Sequence, residues 1–427
     1  MQDTLETPER IDRHILSDEI VFSGKNKDRL VELTNQWKHL LYGKYGCNKG
    51  ELVALSILSI DEYHLSAIIA CAELGLKLIL FDAPATEESL PFTKIALHGP
   101  ADYCIHTGTA GDDLYGGLHG KMIRRYSHTM VDQAELIGMP KSDIDMEYKV
   151  YPRDDFLVSS TSGTTKPSRP VIFTQQDVYR MSKRNVDIFE FRKDTPVIHS
   201  KNLHHASAMI TSLIPSLMAS DRHATIPIGE TVDWDMFGTD IVENIENGGY
   251  TRIMIPNEKT LKWFLDSVDK TFGWFTETLL INMCGFTIGE RFTEYCSQYN
   301  VEFISHYGSI DTAIPLLVNR VTRDSEYVPM SLGVLPDDHY KVTLTDERAM
   351  VECEWWKEPR YMDDVLELRD GQYILKGRIN HTETLQEIME AFPDINLDLF
   401  FQDTKINMEQ LRGHVSVISK WKRQLFP

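Results

Sequence analysis

The stretch from Leu52 to Phe81 constrains this chain more than any other. Leu52-Val53-Ala54-Leu55 is a short apolar run of strand type, entered through the turn Lys49-Gly50-Glu51. Asp61 to Leu74 has helical character and stops at Gly75, a C-terminal cap. Lys77 to Phe81 is a second strand. Strand, helix and strand in succession need a crossover between parallel neighbours, which predicts an α/β sheet with helices on its faces. Glu73, Gly75 and Lys77 interrupt this apolar stretch, so it reads as buried core and not as a membrane span.

The alternation continues downstream. Asp28 to Leu41 is amphipathic (Leu30, Leu33, Trp37, Leu40, Leu41), Ser207 to Met218 reads as a helix, and Val171 to Phe173 is apolar. Strands are predicted at Arg252 to Ile255, Leu279 to Met283 and Val301 to Ser305, with helices at Thr260 to Val268 and Glu290 to Tyr299 between them. From Val328 onward the pattern turns to short strands such as Tyr340 to Thr345 and Tyr373 to Leu375. The chain has 427 residues, room for two or three domains at ~150 each. The expected boundary is the turn-like Gly377-Arg378-Ile379-Asn380, giving a large unit over 1–377 and a small one over 378–427.

Composition narrows the function. With 42% hydrophobic and 25% charged residues the chain is expected to fold. Its net charge of −20 argues against nucleic-acid binding, which needs dense cationic patches. The six cysteines lack any C-x-x-C pair, and Met1 to His14 is polar and charged; reduced thiols, no signal peptide and a cytoplasmic location are expected.

Chemistry concentrates at Phe156-Leu157-Val158-Ser159-Ser160-Thr161-Ser162-Gly163-Thr164-Thr165-Lys166-Pro167-Ser168-Arg169. An apolar strand runs into six hydroxyl residues around one glycine, with two cations just beyond. Hydroxyls and backbone N–H groups in a tight loop make a donor surface for phosphate oxygens, and Lys166 and Arg169 add charge. G-x-x-x-x-G-K-[ST] does not fit here, so this is not a Walker A loop.

Thr161-Ser162-Gly163-Thr164-Thr165 with Arg169, Val171 and Thr174 resembles the phosphate loop of the adenylate-forming superfamily, which includes acyl-CoA synthetases, peptide-synthetase adenylation domains and luciferases. Further segments fall in the family's order. Lys49-Gly50-Glu51-Leu52-Val53-Ala54 resembles its early "K-G-D-x-V-A" turn and strand, and Leu203-His204-His205 its His-bearing segment beside the acyl pocket. Tyr250-Thr251-Arg252 through Pro256 is similar to its "vT…vP" strand, and Cys284-Gly285 stands where a Gly-Gly turn flanks the adenine. His306-Tyr307-Gly308-Ser309-Ile310-Asp311 resembles "Y-G-x-T-E", and Met362-Asp363-Asp364 lies where "T-G-D" would be. Asp370-Gly371 to Gly377-Arg378 resembles the "dG…GR" hinge approach, and Lys420-Trp421-Lys422-Arg423-Gln424-Leu425 the "G-K-x-x-R-x-L" segment with the catalytic lysine.

The resemblance implies a large N-terminal domain of parallel-type sheets with flanking helices, a β-rich subdomain, and a small C-terminal α+β domain. It implies a ligase that activates a small carboxylic acid with ATP, releases pyrophosphate, and passes the acyl group to coenzyme A, to the phosphopantetheine of an external carrier protein, or to an amine. In that reading Thr161, Ser162, Gly163, Thr164, Thr165, Lys166 and Arg169 hold the phosphates, and Asp311 ligates Mg²⁺. Tyr307 and Gly308 flank the adenine with Gly285 opposite, Asp364 accepts from the ribose with Asp363 as the alternative register, and Arg378 sits at the hinge. His204 or His205 lines the acyl pocket; being adjacent, they do not both face one site. Lys420 bridges carboxylate and α-phosphate, or is one solvated cation in a basic run.

The chain departs from the family pattern at named positions. Lys166 replaces a loop glycine, Arg169 a lysine, Ile310 a threonine and Asp311 a glutamate, and Ser419 stands for the glycine before Lys420. About forty positions separate Asn380 from Lys420, so a trimmed tail domain is expected. These departures support a second reading, a catalytically degenerate nucleotide- or acyl-binding module of the same fold.

Overall fold

In the computed structural model the described residues are 10–11, 15, 20–22, 24–57, 61–82, 101–105, 123–128, 136–160, 170–199, 206–225, 245, 249–255, 258–271, 275–284, 291–309, 313–345, 348–362 and 364–378. The strand–helix–strand unit forms where the sequence places it. Leu52–Ile57 and Lys77–Asp82 pair in parallel, Leu52 registering with Lys77, and Glu62–Glu73 is the crossover helix. The Asp61 side chain caps that helix by accepting from the Tyr63 and His64 amides, which contributes ~1 kcal/mol. Beyond its C-terminus Gly75 takes φ +63°, and a Cβ there would touch Val150 at 3.0 Å.

Among the described residues this unit sits in a six-stranded sheet. Its order is Ile123–His128, Ala101–Ile105, Leu52–Ile57, Lys77–Asp82, Asp155–Ser160 and Pro170–Thr174. All neighbours are parallel except the last two, an antiparallel pair. A second sheet of eight strands runs Ala313–Val321, Val301–Ser309, Leu279–Cys284, Arg252–Met254, Val197–His199, Arg222–Thr225, Val21–Phe22 and Lys25–Asn26. It too is parallel inside and antiparallel only at its two edges.

Helix Gln175–Ile188 packs on the 206–219 segment, and both belong to a core shared with Phe156, Leu157, Leu78 and the two N-terminal helices. Phe189 and Phe191, just past helix Gln175–Ile188, cover one face of the eight-stranded sheet with Met254, Leu280 and Ile304. The other face carries helices Glu258–Thr271 and Arg291–Tyr299 over Ile253, Ile281, Met283 and Phe303. Burying each such aliphatic or aromatic side chain contributes ~1.5–3 kcal/mol, which fixes the alternation of both strand faces. The region from Ser331 to Arg378 forms two three-stranded antiparallel sheets over Leu316 and Leu317, the β-rich part expected from the sequence.

Several elements differ from expectation, and three bear on the site. Val301–Ser309 is longer than Val301 to Ser305, because the polar His306 and Ser305 are buried and the strand continues past them. The helix over 206–219 is π-helical at Met209–Leu213, which apolar periodicity does not reveal. Gln175–Ile188 was not expected as a helix, although Thr174 and Asp177 form a full capping box. Cys47, Cys71, Cys296 and Cys353 are buried and in no disulfide; burial pushes the Cys353 thiol up to about 11 and Cys296 up to about 12. No helix among the described residues is long and apolar enough to cross a membrane.

Candidate functional site

The hydroxyl-rich segment closes a hairpin. Asp155–Ser160 and Pro170–Thr174 are antiparallel neighbours with Ser160 opposite Pro170, so 161–169 spans their open end. Thr161, Ser162, Gly163, Thr164, Thr165, Lys166 and Arg169 themselves lie outside the described residues. The far end of the hairpin is pinned firmly. Lys49 pairs with Asp154 at 2.6 Å, donates to the Lys149 carbonyl and lies over the Tyr151 ring at 4.5 Å. The Gln175 amide donates to the Asp154 carbonyl and Gln176 to Pro152, so the early Lys-Gly-Glu turn fixes the chain that feeds the loop. Ala206–Ala208 runs beside Asp155–Ser160; His204 and His205 lie outside the described residues.

The second half of the site is assembled across two sheets. Tyr307 stands near the C-terminal end of Val301–Ser309, half-buried, opposite Leu317. A register shift between Tyr307 and Ser309 leaves Gly308 exposed in a bulge, a device that re-aims neighbouring side chains. The Tyr307 hydroxyl donates to Oδ2 of Asp364, which opens the strand Asp364–Arg369 and is buried. Asp364 registers directly with Arg378, the last residue of Gln372–Arg378, so the phenol, carboxylate and Arg378 backbone converge. Cys284 registers with His306, placing the residue before Gly285 beside the residue before Tyr307. Gly285, Asp311, Asp363 and Lys420 lie outside the described residues, as does the tail beyond 378.

This arrangement puts acceptors and donors beyond the carboxyl ends of parallel strands, where open α/β sheets bind ligands. No protein-family model matches the chain, and no curated protein matches it by sequence. Solved structures do match. The anthranilate CoA ligase AuaEII in complex with anthranoyl-AMP is similar with a TM-score of 0.68 at 13% identity, over 87% of this chain and 78% of that one. A fatty acyl CoA synthetase of Mycobacterium tuberculosis gives a TM-score of 0.70 at 13% identity over the same shares. The N-terminal domain of FACL13 from Mycobacterium tuberculosis gives 0.72 at 13% identity, over 87% of this chain and 100% of that domain. The chain has the adenylate-forming fold.

Within the adenylate-forming fold, Tyr307, Asp364 and Arg378 are the sequence-derived residues that the described structure brings together. The eight-stranded sheet also buries a polar residue that went unnoticed in the sequence. Asn282 is the sole polar side chain of the run Leu279-Leu280-Ile281-Asn282-Met283, and it is fully buried. A lone amide inside an apolar strand was the available signal.

Proposed function

We propose that the chain is an ATP-dependent ligase that activates a carboxylic acid as its acyl-adenylate with release of pyrophosphate. An acceptor thiol, of coenzyme A or a carrier protein, or an amine then takes the acyl group. The observation that carries this reading is the Tyr307–Asp364 hydrogen bond with Arg378 in register, set in an adenylate-forming fold. An ionised carboxylate has about four lone-pair positions. After accepting from one phenol, Asp364 keeps acceptor capacity suited to the vicinal hydroxyls of a ribose. Tyr307 presents its ring at the same strand end for an adenine.

Both reactants are anionic, so the protein's task is neutralisation and alignment more than proton transfer. The hydroxyls and amides of 161–165 and the cations Lys166 and Arg169 would hold phosphate oxygens. The forked guanidinium of Arg169 grips such an oxygen pair better than an ammonium does. Asp311 would hold Mg²⁺, whose role is to screen phosphate charge, and one of His204 and His205 would line the acid. The tail over 378–427 would act as a small domain hinged at Gly377-Arg378 that delivers Lys420 to the carboxylate and α-phosphate.

Carboxylate-dependent exchange of labelled pyrophosphate into ATP, run across a panel of acids, tests the proposal. Exchange with at least one acid is expected, and its absence with every acid in folded protein would overturn it. Ile310 in place of the family's threonine favours the degenerate-module reading. That reading requires calorimetric ATP binding without exchange.

A further inference from the structure

Helix Gln175–Ile188 buries one side-chain amide in its first turn and another in its last, both 0% exposed. Gln175 Nε2 donates to the Ala72 carbonyl at 2.9 Å, near the end of the crossover helix of the six-stranded sheet. Asn185 Nδ2 donates to the Ile210 carbonyl at 2.9 Å and to the Ile314 carbonyl at 3.4 Å. Ile314 lies at the start of Ala313–Val321, an edge strand of the eight-stranded sheet. Ten residues of helix, roughly 15 Å, separate the two amides, so one rod ties both sheets.

The Ile210 carbonyl needs its donor from outside. Ile214 gives its amide to Met209, and Pro215, next in line for a wide turn, has no N–H. Asn185 closes from the neighbouring helix the carbonyl that the proline leaves open. Carbonyl oxygens at both contacts also fix which way the amide points, nitrogen toward them. That orientation leaves Oδ1 buried with no partner, a standing cost that an apolar side chain would avoid. The double donation is what offsets it.

The two carbonyls belong to segments that feed different parts of the proposed site. Ile210 lies in the helix that follows His204-His205 in sequence. Ile314 follows Ala313, which registers with Ser309 across positions 310–312. Arg184 grips the same strand, its Nη1 donating to the Pro315 carbonyl at 2.7 Å. At its other end the helix leaves the hairpin that carries 161–169, capped by Thr174. We propose that Asn185 is a positioning residue that sets the segment after His204-His205 against the turn at 310–312, and so aligns the acid's carboxylate with the α-phosphate. It touches neither reactant. This rests on the carboxylate-activating reading above.

Pyrophosphate exchange and ATP calorimetry on Asn185→Ala test the assignment. A misplacement of about 1 Å costs about 100-fold, so kcat/KM for the acid should fall by about that factor. Tyr307 and Asp364 are fastened to each other, so the Kd for ATP should move by about twofold or less. Asn185→Ala combined with Pro215→Ala separates linkage from capping, because the new backbone amide at 215 offers Ile210 a donor within its own helix. The thermal melt should recover in the double variant while kcat/KM stays low. Activity that returns with the melt overturns the proposal. So does an unchanged kcat/KM in the folded single variant, or ATP binding weakened as much as kcat/KM. Asn185→Ser takes the place of the alanine variant should that one fail to fold. If no acid supports exchange with the native protein, the ligase reading fails on its own, and amide hydrogen exchange then reads the junction. Protection lost jointly over 206–219 and 313–321 in Asn185→Ala, with Leu52–Ile57 unchanged, supports the link. No loss, or loss confined to 206–219, overturns it.

Discussion

The Tyr307 hydroxyl donates to the Asp364 carboxylate across 57 positions of sequence. That bond fastens a strand of the eight-stranded sheet to the first residue of a strand in the β-rich region. The candidate nucleotide site therefore depends on how these two parts are held together.

Tyr307→Phe removes one donor from a buried carboxylate. Hydrogen bonds to charged groups contribute about 1.5–3 kcal/mol, and each ~1.4 kcal/mol is a factor of ten, so the variant should raise the Kd for ATP by roughly 10- to 150-fold. Asp364→Ala, which removes the acceptor itself, should weaken ATP further. Titration calorimetry of both variants checks this; an unchanged affinity in both would remove Asp364 from the nucleotide site.

Gly333 holds the same junction. Its φ is +89°, and a Cβ there would stand 2.0 Å from the Val318 carbonyl oxygen, while the next residue, Val334, exchanges backbone hydrogen bonds with Val318. Gly333→Ala must move backbone against backbone and should cost about 3 kcal/mol or more. A thermal melt reads the loss. A melt matching the native protein would show that the junction yields easily.

Local secondary structure was legible in this chain, whereas partnerships between distant segments were not. Leu52 to Phe81 declared its topology because apolar runs, a cap and a glycine stop all agreed within thirty residues. The choice between Asp363 and Asp364 was open in the sequence. Asp364 is in phase with the buried Leu366, so strand alternation turns it inward, yet Leu368, in the same phase, is exposed and blurred the signal. The bond between Tyr307 and Asp364 could not be read without the pairing of Asp364 with Arg378, because nothing local encodes it. Thr174, read as part of the phosphate-loop pattern, caps a helix whose own mixed apolar and polar residues gave little warning.

Arg184 joins the middle helix to the β-rich region. Its Nε donates to Asp337, its Nη1 donates to the Pro315 carbonyl at 2.7 Å, and its guanidinium lies 4.5 Å over the Tyr340 ring. Arg184→Met strands the Asp337 carboxylate and the Pro315 carbonyl at once. Asp337 is partly exposed and still accepts from the His339 amide. The loss expected in urea unfolding is therefore that of a hydrogen bond to a charged group, about 1.5–3 kcal/mol. Arg184→Met with Asp337→Leu removes both charges and should recover part of it; a double variant no more stable than the single one would contradict this account.

His223 gives the fold a dependence on pH. It is fully buried, stacks on His199 with ring centroids 5.6 Å apart, and its Nε2–H donates to the Ser220 carbonyl at 2.8 Å. Burial penalises the imidazolium and brings the pKa down to about 4 against the Ser220 carbonyl, which favours it. The unfolded chain protonates this group near 6.5 and the folded chain only near 4, so between those values the unfolded state binds more protons. Stability from this residue is complete above about pH 6.5 and drains away as the pH falls toward 4. Between pH 7.5 and 5 the loss should be about 2 kcal/mol. Urea midpoints at the two pH values, compared between the native chain and His223→Gln, isolate the term, since glutamine cannot take up the proton. The variant should lose about 2 kcal/mol less than the native chain over that interval. Equal losses in the two proteins would assign the acid sensitivity to other groups.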